Sequence, residues 1–186
     1  MSEHWIQTFT GKRFDLLEPT EDMIYIEDIA HHLSIENRFG GATKFPYSVG
    51  YHSILVSKHC QKGLELDGLL HDAAEAYCKD ITSPMRRALY TNLGEVGSYS
   101  KYENMINHIQ DIIQNKFKVL DFSLIKTVDL RMAKTEREIL LSKPTVAWHN
   151  SIESAEPYLD VEILNLSAAN IEELFLKEFE KLRRDK

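Results

Sequence analysis

Leu69-Leu70-His71-Asp72-Ala73-Ala74-Glu75 is the stretch on which the reading of this 186-residue chain turns. A His followed directly by an Asp inside an apolar, helix-forming run is costly unless the pair is used. A buried carboxylate beside a buried imidazole must be paired, hydrogen-bonded or metal-bound. Adjacent helical residues diverge by about 100° and rise by about 1.5 Å. An imidazole nitrogen and a carboxylate oxygen can then reach one ion beside the helix, and two further ligands would complete a mixed N/O site. Glu75 stands four residues after His71, one helical turn along, and Asp80 follows just beyond. An imidazole and three carboxylates within residues 71–80 make a hydrolytic toolkit.

Working outward, the segment before this one ends at Lys62-Gly63, and the helix before that carries His52, with Ser48 as its N-cap. The apolar positions Ile26, Ile29, Ala30 and Leu33 predict a helix over Met23–Phe39, stopped at Gly40-Gly41. Trp5–Phe9 and Arg13–Leu16 around Gly11 predict a short hairpin covering the helical body. Downstream, Ser83-Pro84 opens a helix, residues 91–99 read as a mobile loop, and Ser100–Glu103 is a capping box for a helix with Ile106, Ile109, Ile113 and Phe117 inside. A further helix spans about Ser123–Leu141 and contains Asp129. Residues 143–166 read as irregular, and Ser167 caps a last helix over about 167–184. The expected fold class is all-α with a short N-terminal β-hairpin, a single domain over 1–186. Its core lies at roughly 20–141, and the last helix packs on it.

The formal net charge of −7 argues against a general nucleic-acid surface, so an anionic substrate must meet locally placed cations. Cys60 and Cys78 form no CxxC and read as small buried residues in a reducing cytoplasm. No run approaches the length of a membrane span. The expectation is an intracellular enzyme-sized domain.

Taken in order, His52, His71-Asp72 and Asp129 form an H…HD…D pattern. On it the chain resembles the HD-domain metal-dependent phosphohydrolases over roughly residues 5–141. It is most similar to the branch of bacterial 5′-deoxynucleotidases and phage dATP triphosphohydrolases. Trp5-Ile6-Gln7-Thr8, Asn37-Arg38-Phe39-Gly40-Gly41, Tyr47-Ser48-Val49 and the placement of Glu75 and Asp80 also match that branch. The resemblance implies an HD-domain helical bundle in which His52, His71, Asp72 and Asp129 hold one divalent metal. Zn, Co or Mn is expected, or Mg accompanying a polyphosphate. It makes Glu75 and Asp80 the acid/base carboxylates and Arg38 the phosphate grip. Phe39 stands where relatives often carry Trp under the sugar. Only His108 lies between the His-Asp pair and Asp129, which favours one metal over two or three. The absence of a Gly-Tyr-Pro signature disfavours a cyclic-dinucleotide phosphodiesterase.

Other residues carry two readings each. Lys126, three residues before Asp129, is either a solvated lysine or a cation near the metal. Arg86 and Arg87 are either surface charges or grips for distal phosphates. His31, His32, His59 and His149 read as structural, with His31 a candidate for the Arg38 pocket. The expected activity is dATP hydrolysis at the α-phosphate to deoxyadenosine and triphosphate. The alternatives are a 5′-deoxynucleotidase acting on monophosphates and a non-catalytic metal-bound nucleotide sensor. The expected partners are a deoxynucleotide and further copies of the chain, with no nucleic acid and no membrane.

Overall fold

The computed structural model describes residues 3–92, 96–148 and 150–184, with side chains described except at 89–92, 96–100 and 150. It is mostly helical behind a short antiparallel hairpin. In that hairpin β1 (Trp5–Gln7) pairs with β2 (Arg13–Asp15), with Ile6 opposite Phe14. Gly11 takes φ +78° in the turn, where a side chain would be strained. Phe14 is fully buried and stacks on Tyr77 at 3.8 Å, which fixes the hairpin to the helices.

The core is built around α1 (Ile26–Ile35) and α2 (Val49–His59). The predicted helix over 23–39 is shorter than expected. A 3-10 turn at Glu21–Met23 precedes α1, which ends at Ile35, and a second tight turn occupies Arg38–Gly41. Asn37 bridges to Ser48, and Arg38 N–H bonds Tyr47 O at 2.9 Å, so this turn is tied to the entry of α2. Ser48 does cap α2, its hydroxyl accepting from Tyr51 N–H. α2 is buried on nearly every side, with Val49 to Ser57 all shielded. It therefore lacks the one-sided pattern of a surface helix.

α3 (Glu65–Leu70) lies against α2. Gly68 makes this close: a Cβ there would stand 2.5 Å from Cys60 Sγ and 3.0 Å from Ser57 Cα. The expected helix through the His-Asp pair is interrupted. His71–Ala74 form a tight turn with i→i+3 bonds such as Glu75 N–H to Asp72 O at 3.0 Å, before the short α4 (Glu75–Cys78).

α5 (Ser83–Asn92) starts at Ser83-Pro84 as expected. α6 (Val96–Phe117) begins ahead of the capping box, so Ser100–Glu103 lie within the helix. Of the predicted loop over 91–99, residues 93–95 lie outside the described residues. A 3-10 turn (Phe122–Ile125) leads into α7 (Lys126–Leu140), and within the irregular stretch there is one short helix, α8 (Asn150–Glu153). α9 (Ala168–Arg184) is entered through Ser167, whose hydroxyl accepts from Asn170 N–H. It buries Ile171, Phe175 and Phe179 against α1, α2 and α3. Cys60 and Cys78 are free thiols, half-buried rather than enclosed. No described helix is long and apolar enough to cross a membrane.

Candidate metal centre and its cavity

His52 on α2 and His71 in the turn after α3 face each other with their Nε2 atoms 3.3 Å apart. Their Nδ1 atoms point away and are engaged. His71 Nδ1 lies 2.8 Å from Gly68 O, and His52 Nδ1 lies 2.5 Å from Glu136 Oε1. A carbonyl cannot donate, so the His71 proton sits on Nδ1. Glu136 is ionised: burial opposes its charge, but His52 and Arg38 outweigh burial and lower its pKa. The His52 proton is therefore on Nδ1 as well. Both Nε2 atoms then offer lone pairs to the same point.

Carboxylates add to this. Asp72 Oδ2 is 3.3 Å from His71 Nε2 and 3.7 Å from His52 Nε2. Asp129 Oδ1, on α7, is 3.1 and 3.8 Å from the same two atoms. With both imidazoles neutral, acceptors alone converge here; a bound cation would reconcile them, and so would protons on the Nε2 atoms, in keeping with the raised pKa of both histidines. An ion held at about 2.0–2.1 Å by tetrahedral donors spaces them roughly 3.3–3.4 Å apart, against 3.3, 3.3 and 3.7 Å among His52, His71 and Asp72; Asp129 stands beside both histidines but outside this group. His52, His71 and Asp72 thus form a group that could hold a metal ion, their donor atoms all within 4.8 Å of one another. The carboxylates also favour the protonated imidazoles. Burial resists charge on His71, yet Asp72 and Asp129 pull its pKa well above the ordinary value. Asp129 is held well below its own against burial, by hydrogen bonds from both histidines.

His52 is fully buried, while Asp72 and Asp129 line a cavity of about 590 Å³ together with Arg38, Phe39, Glu75, Asp80, Arg86 and Trp148. Glu75 Oε2 is buried with no hydrogen-bond partner. Burial first, then Asp72 and Asp80, push the Glu75 pKa well up. Asp80 is also raised by burial, against the pull of Arg38. Arg38 donates from Nε to Glu136 Oε2 at 3.2 Å and from Nη1 to Asp72 Oδ2 at 3.3 Å. Burial opposes its charge, but these carboxylates keep it protonated. Phe39 holds φ 55°, ψ 25°. That left-handed conformation costs a bulky residue about 1–3 kcal/mol.

Arg86 bonds Ser83 Oγ at 3.3 Å and faces Glu103 at 3.8 Å, and Arg87 also lines the cavity. Lys126 is exposed at the start of α7 and lies outside the lining. His31 pairs with Glu172 on α9 at 2.9 Å instead of entering the pocket. His32 bonds Ala76 O and Phe9 N–H, and His59 bonds Leu55 O. His108 is exposed, and His149 lies outside the described residues.

Two supporting residues escape a sequence reading. Glu136 on α7 is fully buried and accepts from Tyr47 Oη at 2.7 Å besides His52 and Arg38. Gln110 on α6 donates to Leu70 O and His71 O at 2.8 Å and accepts from Ala74 N–H at 2.9 Å. It supplies bonds that the broken helix at His71–Ala74 no longer makes to itself.

The fold and site together define a mostly helical protein with a His-His-Asp group that could hold a metal ion, its Asp72 lining a cavity. The chain belongs to the family of the Escherichia coli strain K12 protein YfdR, itself described as uncharacterized. It is 36% identical to YfdR over 138 residues, 73% of this chain and 72% of the relative. An uncharacterized protein of Rhodobacter capsulatus is 39% identical over 98 residues, 48% of this chain and 50% of its own length. No family model matches the chain.

The cation group has a direct test. Elemental analysis of His71→Ala is expected to show loss of bound divalent metal with helical circular dichroism largely kept, and Asp129→Ala is expected to behave alike. Full occupancy in both variants would remove the site.

Proposed function

We propose that the protein is a metal-dependent phosphohydrolase of the HD-domain type, acting on deoxynucleotides at the α-phosphate. The reading best supported is dATP triphosphohydrolase. The observation that carries it is the convergence of His52, His71 and Asp72, with Asp129 beside both histidines, at a cavity lined by Asp72, Asp129, Glu75, Asp80 and Arg38. Mixed N/O donors of this kind suit Zn, Co or Mn, with Mg an option beside a polyphosphate. A divalent metal there supplies Lewis acidity towards a phosphoryl oxygen and lowers the pKa of water.

The chain's own groups do the rest. Arg38, fixed on Glu136 and Asp72, presents fixed positive charge where phosphoryl oxygens gain negative charge. Asp80 takes the proton of the attacking water or returns it, through water, to the departing 5′ oxygen. Glu75 orients that exchange and shares the proton. Cleavage of the bond from α-phosphorus to O5′ gives deoxyadenosine and triphosphate from dATP, and deoxyadenosine and phosphate from dAMP. Arg86 and Arg87 on the cavity wall favour the longer phosphate tail. Cytoplasmic location and association with further copies of the chain belong to the same reading.

Incubating the metal-loaded protein with each dNTP, dNMP and ATP, with products resolved chromatographically, tests this reading. The expected result is triphosphate release from dATP; phosphate release from monophosphates alone would favour the 5′-deoxynucleotidase. Phe39 is expected to set the sugar preference. A ribose 2′-hydroxyl pressed on its ring loses water without gaining a partner, at a cost of about 1–3 kcal/mol, or roughly ten- to hundredfold. Phe39→Ala should therefore narrow the dATP-to-ATP ratio in kcat/KM. An unchanged ratio places sugar selection elsewhere, and equal wild-type rates on dATP and ATP remove the deoxynucleotide claim.

A further inference from the structure

The cavity wall next to Arg38 is aromatic in a way that neither the cation group nor the phosphate chemistry requires. Phe39 meets the indole of Trp148 edge-on, with ring centroids 6.0 Å apart at 65°. Arg38 lies 5.5 Å from the centroid of the Phe39 ring. Guanidinium, phenyl and indole thus neighbour one another in turn among the residues lining the cavity, a succession that suits the phosphate, sugar and base of a nucleotide. Trp148 belongs to the segment between α7 and α8, which would be free to swing away if nothing held it. It is held at several points. Glu153 accepts from Trp148 N–H at 3.1 Å and is itself fixed by Lys134 at 3.1 Å and by Arg137. The Arg137 guanidinium also lies over the indole at 5.6 Å. The backbone of Phe39 is set by its left-handed turn, and that of Trp148 by its amide bond to Glu153, with the Arg137 guanidinium over the indole.

We infer that Trp148 is the base-recognition residue of this cavity, taking a planar heteroaromatic ring against its indole while Arg38 and the metal group engage the phosphate end. The inference rests on the nucleotide reading above and adds the residue that discriminates a nucleotide from a plain sugar phosphate. Fixed aromatic faces stack on bases with little loss of entropy on binding.

The test uses the full-length, metal-loaded chain carrying Trp5→Phe. Trp5 is half-exposed on β1, far in sequence from the cavity, and its replacement leaves Trp148 as the sole indole. Two probes are titrated: the 5′-methylenephosphonate analogue of dAMP, whose P–C bond is not cleaved, and the same sugar phosphonate with hydrogen in place of adenine. Saturation with the adenine compound should change Trp148 fluorescence, and the base-free compound should not. Trp148→Ala, followed by calorimetry, should weaken the adenine compound by about 5- to 150-fold, leave the base-free compound unchanged and be rescued by Trp148→Phe. Wild-type affinity in Trp148→Ala, or equal loss for both probes, would overturn the assignment while leaving the phosphohydrolase reading standing. Failure of the Trp5→Phe protein to bind either probe would overturn both together.

Discussion

Glu136→Ala is expected to be the most destabilising single change in the chain and to strip the metal as well. Glu136 is fully enclosed and takes three donors: the Tyr47 hydroxyl, His52 Nδ1–H and Arg38 Nε–H. Truncation removes one of the two carboxylates that Arg38 hydrogen-bonds and leaves His52 Nδ1 without its acceptor. Breaking a buried charge pair from one side costs about 3–5 kcal/mol. In a chain of this size that corresponds to roughly 6–20 °C in Tm. Loss of the carboxylate that orients a metal histidine weakens metal binding by a further ~10–100-fold. Glu136→Gln separates the two effects. Its carbonyl can still accept from Tyr47 or His52, but its amide turns a donor towards Arg38. Intermediate Tm and intermediate metal affinity are expected. Thermal melts and metal titrations of both variants check this, and wild-type behaviour in both would make Glu136 a bystander.

That Glu136 carries so much was not visible from its neighbours in sequence. In Lys134-Thr135-Glu136-Arg137-Glu138 it reads as one of several charges on an exposed helix face, and Glu138 next to it is indeed exposed. The one available signal is its position seven residues after Asp129, two turns along and on the same face. His52, His71 and Asp72 were legible for the opposite reason. Each is a polar group set among apolar residues, a placement that sequence alone shows to be costly.

Element ends followed local chemistry where the side chain itself makes the cap, as Ser48 and Ser167 do, and where Pro84 opens α5. The break at His71–Ala74 was hidden because Leu69–Ala76 contains no Gly or Pro and every residue tolerates a helix. The turn is held from outside, by Gln110 on α6. Lys126 shows the converse failure. Spacing of three from Asp129 suggested a shared face, but at the first residue of α7 the side chain runs out into solvent.

Glu75→Gln and Asp80→Asn are expected to keep the metal and lose the reaction. Neither carboxylate belongs to the His52, His71 and Asp72 group, yet both line the cavity into which Asp72 and Asp129 open. Glu75 Oε2 is buried without a partner, an arrangement that costs stability and persists only where something else uses the oxygen. The amide variants preserve shape, so folding and metal content should match the parent. Glu75→Gln even removes the burial of an ionisable group, and its Tm should not fall. On the proposed phosphohydrolase reading, what each change deletes is the capacity to take up or release a proton beside the scissile bond. General acid-base groups contribute about 10²–10⁴-fold to turnover. Each variant should therefore lose kcat on dATP within or above that range, while KM, set by Arg38 and the cavity wall, moves little. Because the two carboxylates share one proton exchange, the double variant should fall well short of the product of the single losses. Near-parental kcat in both single variants, with metal retained, would make the carboxylates structural. It would favour instead a metal-bound nucleotide sensor, which needs the ligands and no proton transfer.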